Sequence, residues 1–343
     1  MSDFRIDKIT NRVGDAGTQI AGITTFSGTS GMQLPVGPTE YRGGRGRGVF
    51  GSGATPTATT VLDMIEIATT GNSTDFGDDT LVRQEGNAAF ASPTRGCFGG
   101  GLITPSPGAD TTNIAYVTIS SQGGASDFGT LSVGVERNPG LSDSTRGLSS
   151  GGLNGPLFTN LIEYVTIATT GDASEFGELT KPLGGAGACA SPTRGLIGGG
   201  WYLPASPYGY TNIIDYVTIQ SKGNAQEFGN LTETQNSLAG CSNSIRGLFM
   251  GGQTPTNTDT IGYVTIATLG NAIEFGEIIG ARDYLGACAS ATRGISAGGQ
   301  TPTKMNTIDY VTIATTGDAV DFGDLTVARR FCQGLSDVHG GLG

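Results

Sequence analysis

The chain has 343 residues, 59 of them glycine, and its 30 acidic and 19 basic residues give a formal net charge of −11 at pH 7. This acidic balance argues against a protein that wraps nucleic acid or rests on an anionic membrane. No run of 18 apolar residues is present, and the first residues lack the apolar core of a signal peptide. We therefore expect a soluble protein made in the cytosol, without membrane insertion.

Residues 1–40 do not repeat and contain short extended stretches. Residues 4–9 begin with alternating apolar and polar side chains, which predicts a strand, and the prolines in residues 31–38 predict an extended connector. Such a segment is too small to bury a core of its own, so a partner, other copies of the chain or the rest of the chain should order it. We predict an attachment or oligomerisation segment with these candidate contact residues: Phe4, Ile6, Ile9, Met32 and Leu34.

Residues 41–343 form a repeat, because a Phe-Gly pair and an Arg-Gly pair each recur with a mean spacing of about 49 residues. The phenylalanines are Phe76, Phe128, Phe176, Phe228, Phe275 and Phe322. The arginines are Arg47, Arg95, Arg146, Arg194, Arg246 and Arg293. A fixed period of this length indicates one supersecondary unit copied six times.

Each unit predicts four short strands. In the fifth unit they cover residues 238–242, 247–250, 262–267 and 275–279, and turn residues separate them at hairpin-like distances. Four strands in about 49 residues are typical of one blade of a β-propeller.

The two ends of the repeat complement each other. No apolar run precedes Arg47, so the first unit lacks a strand, whereas residues 333–337 parallel residues 139–143 and supply a spare one. A strand from the C-terminus would complete the first unit and leave no unpaired edge. We therefore predict an all-β protein: a six-bladed β-propeller over residues 41–343, closed by the C-terminal strand and preceded by the extended segment 1–40.

The repeat resembles the kelch family. In that family an apolar strand ends in Gly-Gly and is followed by a tyrosine, a second aromatic residue and often an arginine. Residues 248–252 with Tyr263, Phe275 and Arg282 match this order, as do residues 295–299 with Tyr310, Phe322 and Arg329.

Three stretches resemble structural proteins of tailed phages, notably those of marine cyanobacteria. They are residues 4–12, residues 30–37 and the repeated Tyr-Val-Thr-Ile-Ala-Thr-Thr-Gly. The resemblance implies a virion protein, assembled in the host cytoplasm, that binds other virion proteins through residues 1–40. It also implies a homo-oligomer, with a trimer favoured.

The arginines of the Arg-Gly pairs invite two interpretations. They could form a ring of positive charge around a channel that binds anions. Because they recur once per unit, we favour a shared structural role, either bonding backbone carbonyls or pairing with an acidic residue of a neighbouring unit.

The loops after the Gly pair are longest in two units: residues 102–113 in the second and residues 201–212 in the fourth. The fourth unit differs from the others in the composition of this loop. This loop holds the only tryptophan of the chain and three of its ten tyrosines: Trp201, Tyr202, Tyr208 and Tyr210. Aromatic rings with polar tips suit stacking on a sugar or anchoring a protein interface. Contact with a host-surface glycan or protein, contact with a neighbouring virion protein, and packing on its own blade remain open.

Catalytic and cofactor chemistry find little support. The single histidine, His339, lies in a tail that we expect to be exposed, so neither a histidine-rich metal centre nor a reliable Ser-His-Asp triad is predicted. Cys189, Cys241 and Cys288 occupy equivalent places in different units, and we expect small buried residues rather than disulfide or metal ligands. We predict no enzyme, no cofactor and no metal.

Two carboxylate-based possibilities stay open. Acidic pairs in the Phe-Gly turns, such as Asp75 with Asp78, offer oxygens to calcium, although we expect solvated turn charges. Glycan hydrolysis needs only two carboxylates at the right separation, which a sequence does not reveal.

The leading hypothesis is a phage tail fibre or fibre-like protein that presents a propeller for host recognition. The alternative is a tail, collar or capsid decoration protein that binds only other virion proteins, and a glycan hydrolase is the third possibility.

Overall fold

The computed structural model describes residues 46–55, 59–104, 109–202 and 209–342, and this part of the chain is all-β. It contains one short 3-10 helix, Gly340–Leu342, and no α-helix. None of its helices is long and apolar enough to cross a membrane. The predicted attachment residues, including Phe4 and Leu34, lie outside the described residues.

The strands of the first three repeats are β1 (Arg47–Gly51), β2 (Val61–Glu66), β3 (Thr74–Asp78), β4 (Arg83–Glu85), β5 (Ala88–Ala91), β6 (Arg95–Gly99), β7 (Leu102–Ile103), β8 (Ala109–Asp110), β9 (Asn113–Thr118), β10 (Ser126–Thr130), β11 (Gly140–Ser142), β12 (Arg146–Ser150), β13 (Leu153–Asn154), β14 (Leu157–Phe158), β15 (Leu161–Thr166) and β16 (Ser174–Glu178). The others are β17 (Gly187–Ala190), β18 (Arg194–Gly198), β19 (Trp201–Tyr202), β20 (Gly209–Tyr210), β21 (Ile213–Thr218), β22 (Gln226–Asn230), β23 (Ala239–Ser242), β24 (Arg246–Met250), β25 (Gln253–Thr254), β26 (Thr256–Asn257), β27 (Thr260–Thr265), β28 (Ile273–Glu277), β29 (Gly286–Ala289), β30 (Arg293–Ala297), β31 (Gln300–Thr301), β32 (Thr303–Lys304), β33 (Thr307–Thr312), β34 (Val320–Asp324) and β35 (Gln333–Ser336).

Six four-stranded antiparallel sheets form within the described residues, an arrangement consistent with a β-propeller-like fold. In strand order, sheet 1 is β35-β1-β2-β3, sheet 2 is β5-β6-β9-β10, sheet 3 is β11-β12-β15-β16, sheet 4 is β17-β18-β21-β22, sheet 5 is β23-β24-β27-β28 and sheet 6 is β29-β30-β33-β34. The C-terminal strand β35 pairs antiparallel with β1, so Leu335 faces Val49. The four strands expected for each unit are present, but the fourth begins earlier than predicted, at Ile273 in sheet 5.

The core lies between neighbouring sheets. Each hydrophobic cluster joins two of them, as where Leu148 and Ile162 of sheet 3 pack with Ile197 and Val217 of sheet 4. A tyrosine of the third strand meets the phenylalanine of the Phe-Gly pair edge to face in five sheets, with centroids 5.7–6.2 Å apart. Such buried aliphatic and aromatic side chains contribute roughly 1.5–3 kcal/mol each, but only when a second sheet covers them.

The glycines of the two repeated pairs allow the sheets to approach closely. A Cβ on Gly147 of sheet 3 would lie 2.0 Å from the ring of Phe90 in sheet 2, so the Arg-Gly glycine makes room for a side chain of the preceding sheet. A Cβ on Gly129, whose φ is +155°, would lie 2.3 Å from the carbonyl oxygen of Gly171 in sheet 3. The Phe-Gly glycine therefore makes room for a turn of the following sheet, where Gly171 donates to the carbonyl of Phe128 at 2.8 Å.

Sheets 6 and 1 share the contacts that join consecutive sheets elsewhere. Gly71 of sheet 1 donates to the carbonyl of Phe322 at 2.7 Å. Between the same sheets, fully buried Arg329 forms an ion pair with fully buried Asp63 and donates to the carbonyl of Val61 at 2.7 Å. Burial raises the pKa of Asp63, and the guanidinium of Arg329 opposes that rise.

Loss of this arginine should strongly destabilise the protein. In Arg329→Leu the carboxylate of Asp63 stays buried without its cation, so we expect the free energy of unfolding to fall by about 3–5 kcal/mol at neutral pH. The pKa of Asp63 would rise further above its unfolded value, so the loss should grow as pH increases from 5 to 8. Urea unfolding measures both effects.

The double variant Arg329→Leu, Asp63→Ala serves as the control, because it removes both charges together. It should lose clearly less stability than the single variant and show no added pH dependence. Equal losses in the two variants would contradict an ion pair that matters for stability.

Candidate functional site

The six repeated arginines bridge consecutive sheets. Each guanidinium donates through Nη1 to the backbone carbonyl just after the third strand of the next sheet, at 2.9–3.1 Å. Arg95, for example, donates to the carbonyls of Ile167 and Ala168. Five of the six also lie over the tyrosine of their own sheet, with the guanidinium carbon 4.4–4.9 Å from the ring centre. The structure thus places these side chains between sheets, where backbone carbonyls occupy them.

The first strands of all six sheets surround one cavity. Small residues of these strands line it, such as Ala89, Gly140, Ala239 and Ala287, so the backbones come close to the cavity. It offers about 70 Å³ for the centres of water-sized molecules. That is room for several ordered waters, which need on the order of 10–15 Å³ each by this measure.

The C-terminal tail lies at one end of the first strands, at a second cavity that these strands also line, and it corrects the expectation of an exposed histidine. His339 is partly buried: its Nε2 lies 2.9 Å from the carbonyl of Ala91 and 3.2 Å from Oγ of Ser142. Its Nδ1 accepts from the backbone N–H of Gly341 at 3.1 Å, so the proton of the neutral ring is on Nε2. Burial lowers the pKa of His339. A ring that donates toward Ser142 cannot accept its proton, so the pair does not act as a nucleophile and base.

The other end, here called the mouth, is built on residues in the left-handed conformation. Each stands two or three residues before a first strand and has a φ value between +54° and +68°. They are Arg137, Gly185, Ser237, Tyr284 and Phe331. They are also linked in series, because each backbone N–H from Arg137 onward donates to the preceding repeat, starting at the carbonyl of Gly86, at 2.6–2.9 Å. Left-handed backbone is costly for residues other than glycine, so packing must hold these side chains in place.

Aromatic and cationic side chains gather at the mouth. The rings of Tyr284 and Phe331 pack against each other at an angle of 44°, with centroids 4.0 Å apart. The guanidinium of Arg137 lies 5.3 Å from the centre of Phe331 and 4.7 Å from that of Trp201. That of Arg330 lies 5.0 Å from the centre of Phe331. We call these five residues the mouth cluster.

The charges of the mouth cluster are unevenly paired. Arg137 donates through Nε to Glu85 at 2.9 Å and lies 3.9 Å from Glu136, so carboxylates surround it. Burial raises the pKa of Glu136 to about 7, the charge of Glu85 adds to the rise, and Arg137 opposes it. Arg330 donates to Gln300 at 3.2 Å and forms no ion pair with any described residue, while its Nε is buried without a hydrogen-bond acceptor.

The aromatic residues predicted in the fourth unit are only partly brought together. Trp201 and Tyr210 face each other across the hairpin of β19 and β20, and Trp201 joins the mouth cluster, where its Nε1 donates to Asn236. Tyr202 instead lies under Lys181, with Nζ 5.4 Å from its ring centre. Tyr208 lies outside the described residues.

Sequence reasoning missed Arg137, Tyr284 and Phe331. All three stand nine residues after the phenylalanine of a Phe-Gly pair, where other repeats have Gly185 and Ser237. Disagreement between repeats at one fixed position was therefore the available signal. This signal is hard to recognise in the sequence, because the three residues belong to different repeats and lie far apart along the chain.

The described part of the chain contains no candidate metal site. Among the described residues, no group of three or more histidine, cysteine, aspartate or glutamate side chains is placed to hold a metal ion. The five cysteines are all buried and free, as expected of small core residues.

No protein-family model matches the chain, and no curated protein matches it.

Removing the carboxyl group of Glu136, whose pKa is raised, should change the pH dependence of stability. The pKa of Glu136 in the folded protein, about 7, exceeds its usual value of 4.5. Its protonated form is the one that folding favours, so its contribution is lost as pH rises from about 4.5 through 7. Glu136→Gln should therefore stabilise the protein by about 1 kcal/mol more at pH 8 than at pH 5, because partial contact with water weakens the full effect.

Urea unfolding at pH 5, 6, 7 and 8 checks this expectation. Glu274→Gln, which removes an exposed carboxylate of β28, is the matched control and should shift all four values alike. An equal effect of Glu136→Gln at every pH would contradict the expectation.

Proposed function

We propose that residues 41–343 form a six-bladed, kelch-like β-propeller closed by the C-terminal strand. Support comes from the joining of sheets 6 and 1 by the same contacts as consecutive sheets. Arg293 donates to the carbonyl of Ile67, Gly71 donates to that of Phe322, and β35 completes sheet 1. The cavity lined by all six first strands would be the central channel.

We further propose that the chain is a non-enzymatic virion protein of a tailed phage, a tail fibre or fibre-like module that recognises the host surface. The observation that carries recognition is the mouth cluster: a uniform scaffold brings aromatic rings and guanidinium groups from different repeats together at one place. Irregular residues on a rigid scaffold are the usual place of binding function. The virion setting rests on the sequence resemblance of residues 4–12, residues 30–37 and the repeated motif.

Binding is favoured over catalysis by the state of the titratable groups. The only histidine donates toward Ser142 instead of accepting from it. In the mouth, Glu85 is held in an ion pair by Arg137, so it is not a free nucleophile or base. Clustered aromatic rings and guanidinium groups suit a site that holds a ligand unchanged.

In this proposal, residues 1–40 attach the chain to other virion proteins and to copies of itself, with a trimer favoured. Several propellers on one particle then act together. Linked weak contacts raise the overall attachment strength by several orders of magnitude without new contacts.

Adsorption of the purified full-length protein to candidate host cells tests the proposal. Residues 201–210 are replaced by residues 253–257, the shorter hairpin of β25 and β26, which removes Trp201 from the mouth cluster. We expect saturable binding by the unchanged protein and at least about a tenfold loss in the variant, as for removal of an aromatic hot spot.

The same exchange in the second repeat, of residues 102–110, is the matched control, because it shortens the other long loop and replaces none of the five mouth-cluster residues. This control should adsorb normally. No adsorption by any of the three proteins to any host would contradict host recognition.

A purely structural role is the second candidate, and one observation favours it. Ile273 of β28 and Val320 of β34 are 57% and 56% exposed on outer strands, where the equivalent residues of sheets 1–4 are polar. Exposed apolar side chains on neighbouring sheets suit a protein contact. Under this candidate, Ile273→Thr with Val320→Thr would abolish incorporation into particles, whereas under host recognition through the mouth it would leave cell adsorption of the free protein unchanged.

A further inference from the structure

We infer that the mouth cluster binds a sugar that carries a single carboxylate, that is, a uronic acid residue of a glycan. This inference rests on the proposed recognition function and specifies its ligand. It follows from the pairing of charges, from the aromatic surface and from the size of the cavity.

The charge argument concerns the two guanidinium groups. Both lie beside the ring of Phe331, but Arg137 already has Glu85 as its partner at 2.9 Å. Arg330 donates one hydrogen bond, to the amide oxygen of Gln300, and its Nε has no acceptor although it is buried. A guanidinium presents five N–H donors in a planar fork that matches a carboxylate. Arg330 therefore has donors to spare for one anionic group.

The surrounding acids limit what that group can be. Burial raises the pKa of the Asp283 carboxyl to about 6, and the nearby charge of Arg330 opposes that rise. Glu85 and Glu136 stand on the Arg137 side, and the whole chain carries a net charge of −11. A polyanion would be repelled by these carboxylates, whereas one carboxylate directed at Arg330 meets its attraction at short range and their repulsion at longer range.

The aromatic argument concerns the neutral part of the ligand. Tyr284 is half-buried and lines the cavity, where it packs on the buried ring of Phe331 with centroids 4.0 Å apart, so Tyr284 offers a ring surface at the rim. The C–H face of a pyranose packs on such a surface, and its hydroxyl groups can bond the polar atoms nearby. Gln333 and Ser237, which also line the cavity, supply an amide and a hydroxyl.

The cavity sets the depth of binding. About 70 Å³ of room accommodates several waters but not a sugar ring, and small residues such as Gly140 and Ala287 line it. The sugar ring therefore lies across the mouth and displaces water there. A terminal residue or a branch of a glycan fits this placement, and a chain threaded through the channel does not.

Trp201 reports on binding, because it is the only tryptophan and its ring lies 4.7 Å from the guanidinium carbon of Arg137. Full-length protein is titrated with glucuronate while tryptophan fluorescence is recorded. We expect a saturable change with glucuronate. Glucose, acetate and glucose 6-phosphate should each bind at least about tenfold more weakly. Glucose lacks the carboxylate, acetate lacks the sugar ring, and glucose 6-phosphate carries a larger negative charge.

Two variants locate the site. Arg330→Gln should weaken glucuronate binding by at least about tenfold, the usual effect of losing a charge-assisted hydrogen bond. Tyr284→Gly should weaken it too. This second variant is designed to stay folded, because Tyr284 has a φ of +55° and the equivalent residue of another repeat is Gly185. Lys222→Gln, which removes an exposed positive charge remote from the mouth, is the matched control and should bind normally.

Four outcomes would overturn the inference: no response to glucuronate, an equal response to glucose or acetate, equally tight binding of glucose 6-phosphate, or undiminished binding by folded Arg330→Gln. Cell adsorption separates this result from the proposed function. If the protein adsorbs to cells and glucuronate does not inhibit this adsorption, the ligand is refuted and host recognition stands. If glucuronate binding depends on Arg330 but no cell adsorption occurs, the ligand is supported and host recognition is refuted.

Discussion

Each repeat is tied to the next by an arginine that donates to a backbone carbonyl beyond its own sheet. Arg95 reaches Ile167 in this way, and its guanidinium lies over the ring of Tyr116. A four-stranded sheet has two apolar faces and cannot cover either one alone, so its stability depends on neighbours. The arginine fixes the distance and angle between neighbours, and the following glycine provides the space that this distance requires. Other features of the fold vary around this constraint.

Buried charge is one feature that varies between the interfaces. The carboxylate of Asp309 forms an ion pair with Arg282, and it accepts a hydrogen bond from the backbone N–H of Ile279 at 2.7 Å. Both partners belong to the segment that follows sheet 5. At the equivalent place in sheet 3, Glu163 only accepts the N–H of Ser132 at 2.9 Å, and a valine replaces the arginine. The acidic residue thus has a local task, capping a turn of the neighbouring sheet, and the arginine is added at some interfaces. Because a buried pair roughly balances its own desolvation, interfaces with and without it are compatible with one fold.

The mouth shows how a uniform scaffold acquires individuality. Its key position has left-handed backbone in five repeats, where glycine would be least strained, and yet three repeats place Arg137, Tyr284 and Phe331 there. The serial hydrogen bonds through these residues hold the strained backbone in register around the cavity. Side chains that fold at a conformational cost, and meet there as a cluster, are expected where function has been placed on a stable fold.

The sequence by itself determined the six repeats, the four strands of each and the use of the C-terminal strand β35 beside β1, because strand pairing follows local period and turn spacing. It left the task of the repeated arginines open between backbone carbonyls and acidic partners, and the role of residues 1–40 remains a prediction. Only the tertiary structure decided that His339 donates at the second cavity and that Trp201 meets Arg137. These contacts join residues from different repeats, and they arise from backbone conformation and side-chain direction after the sheets have packed, which local periodicity does not encode.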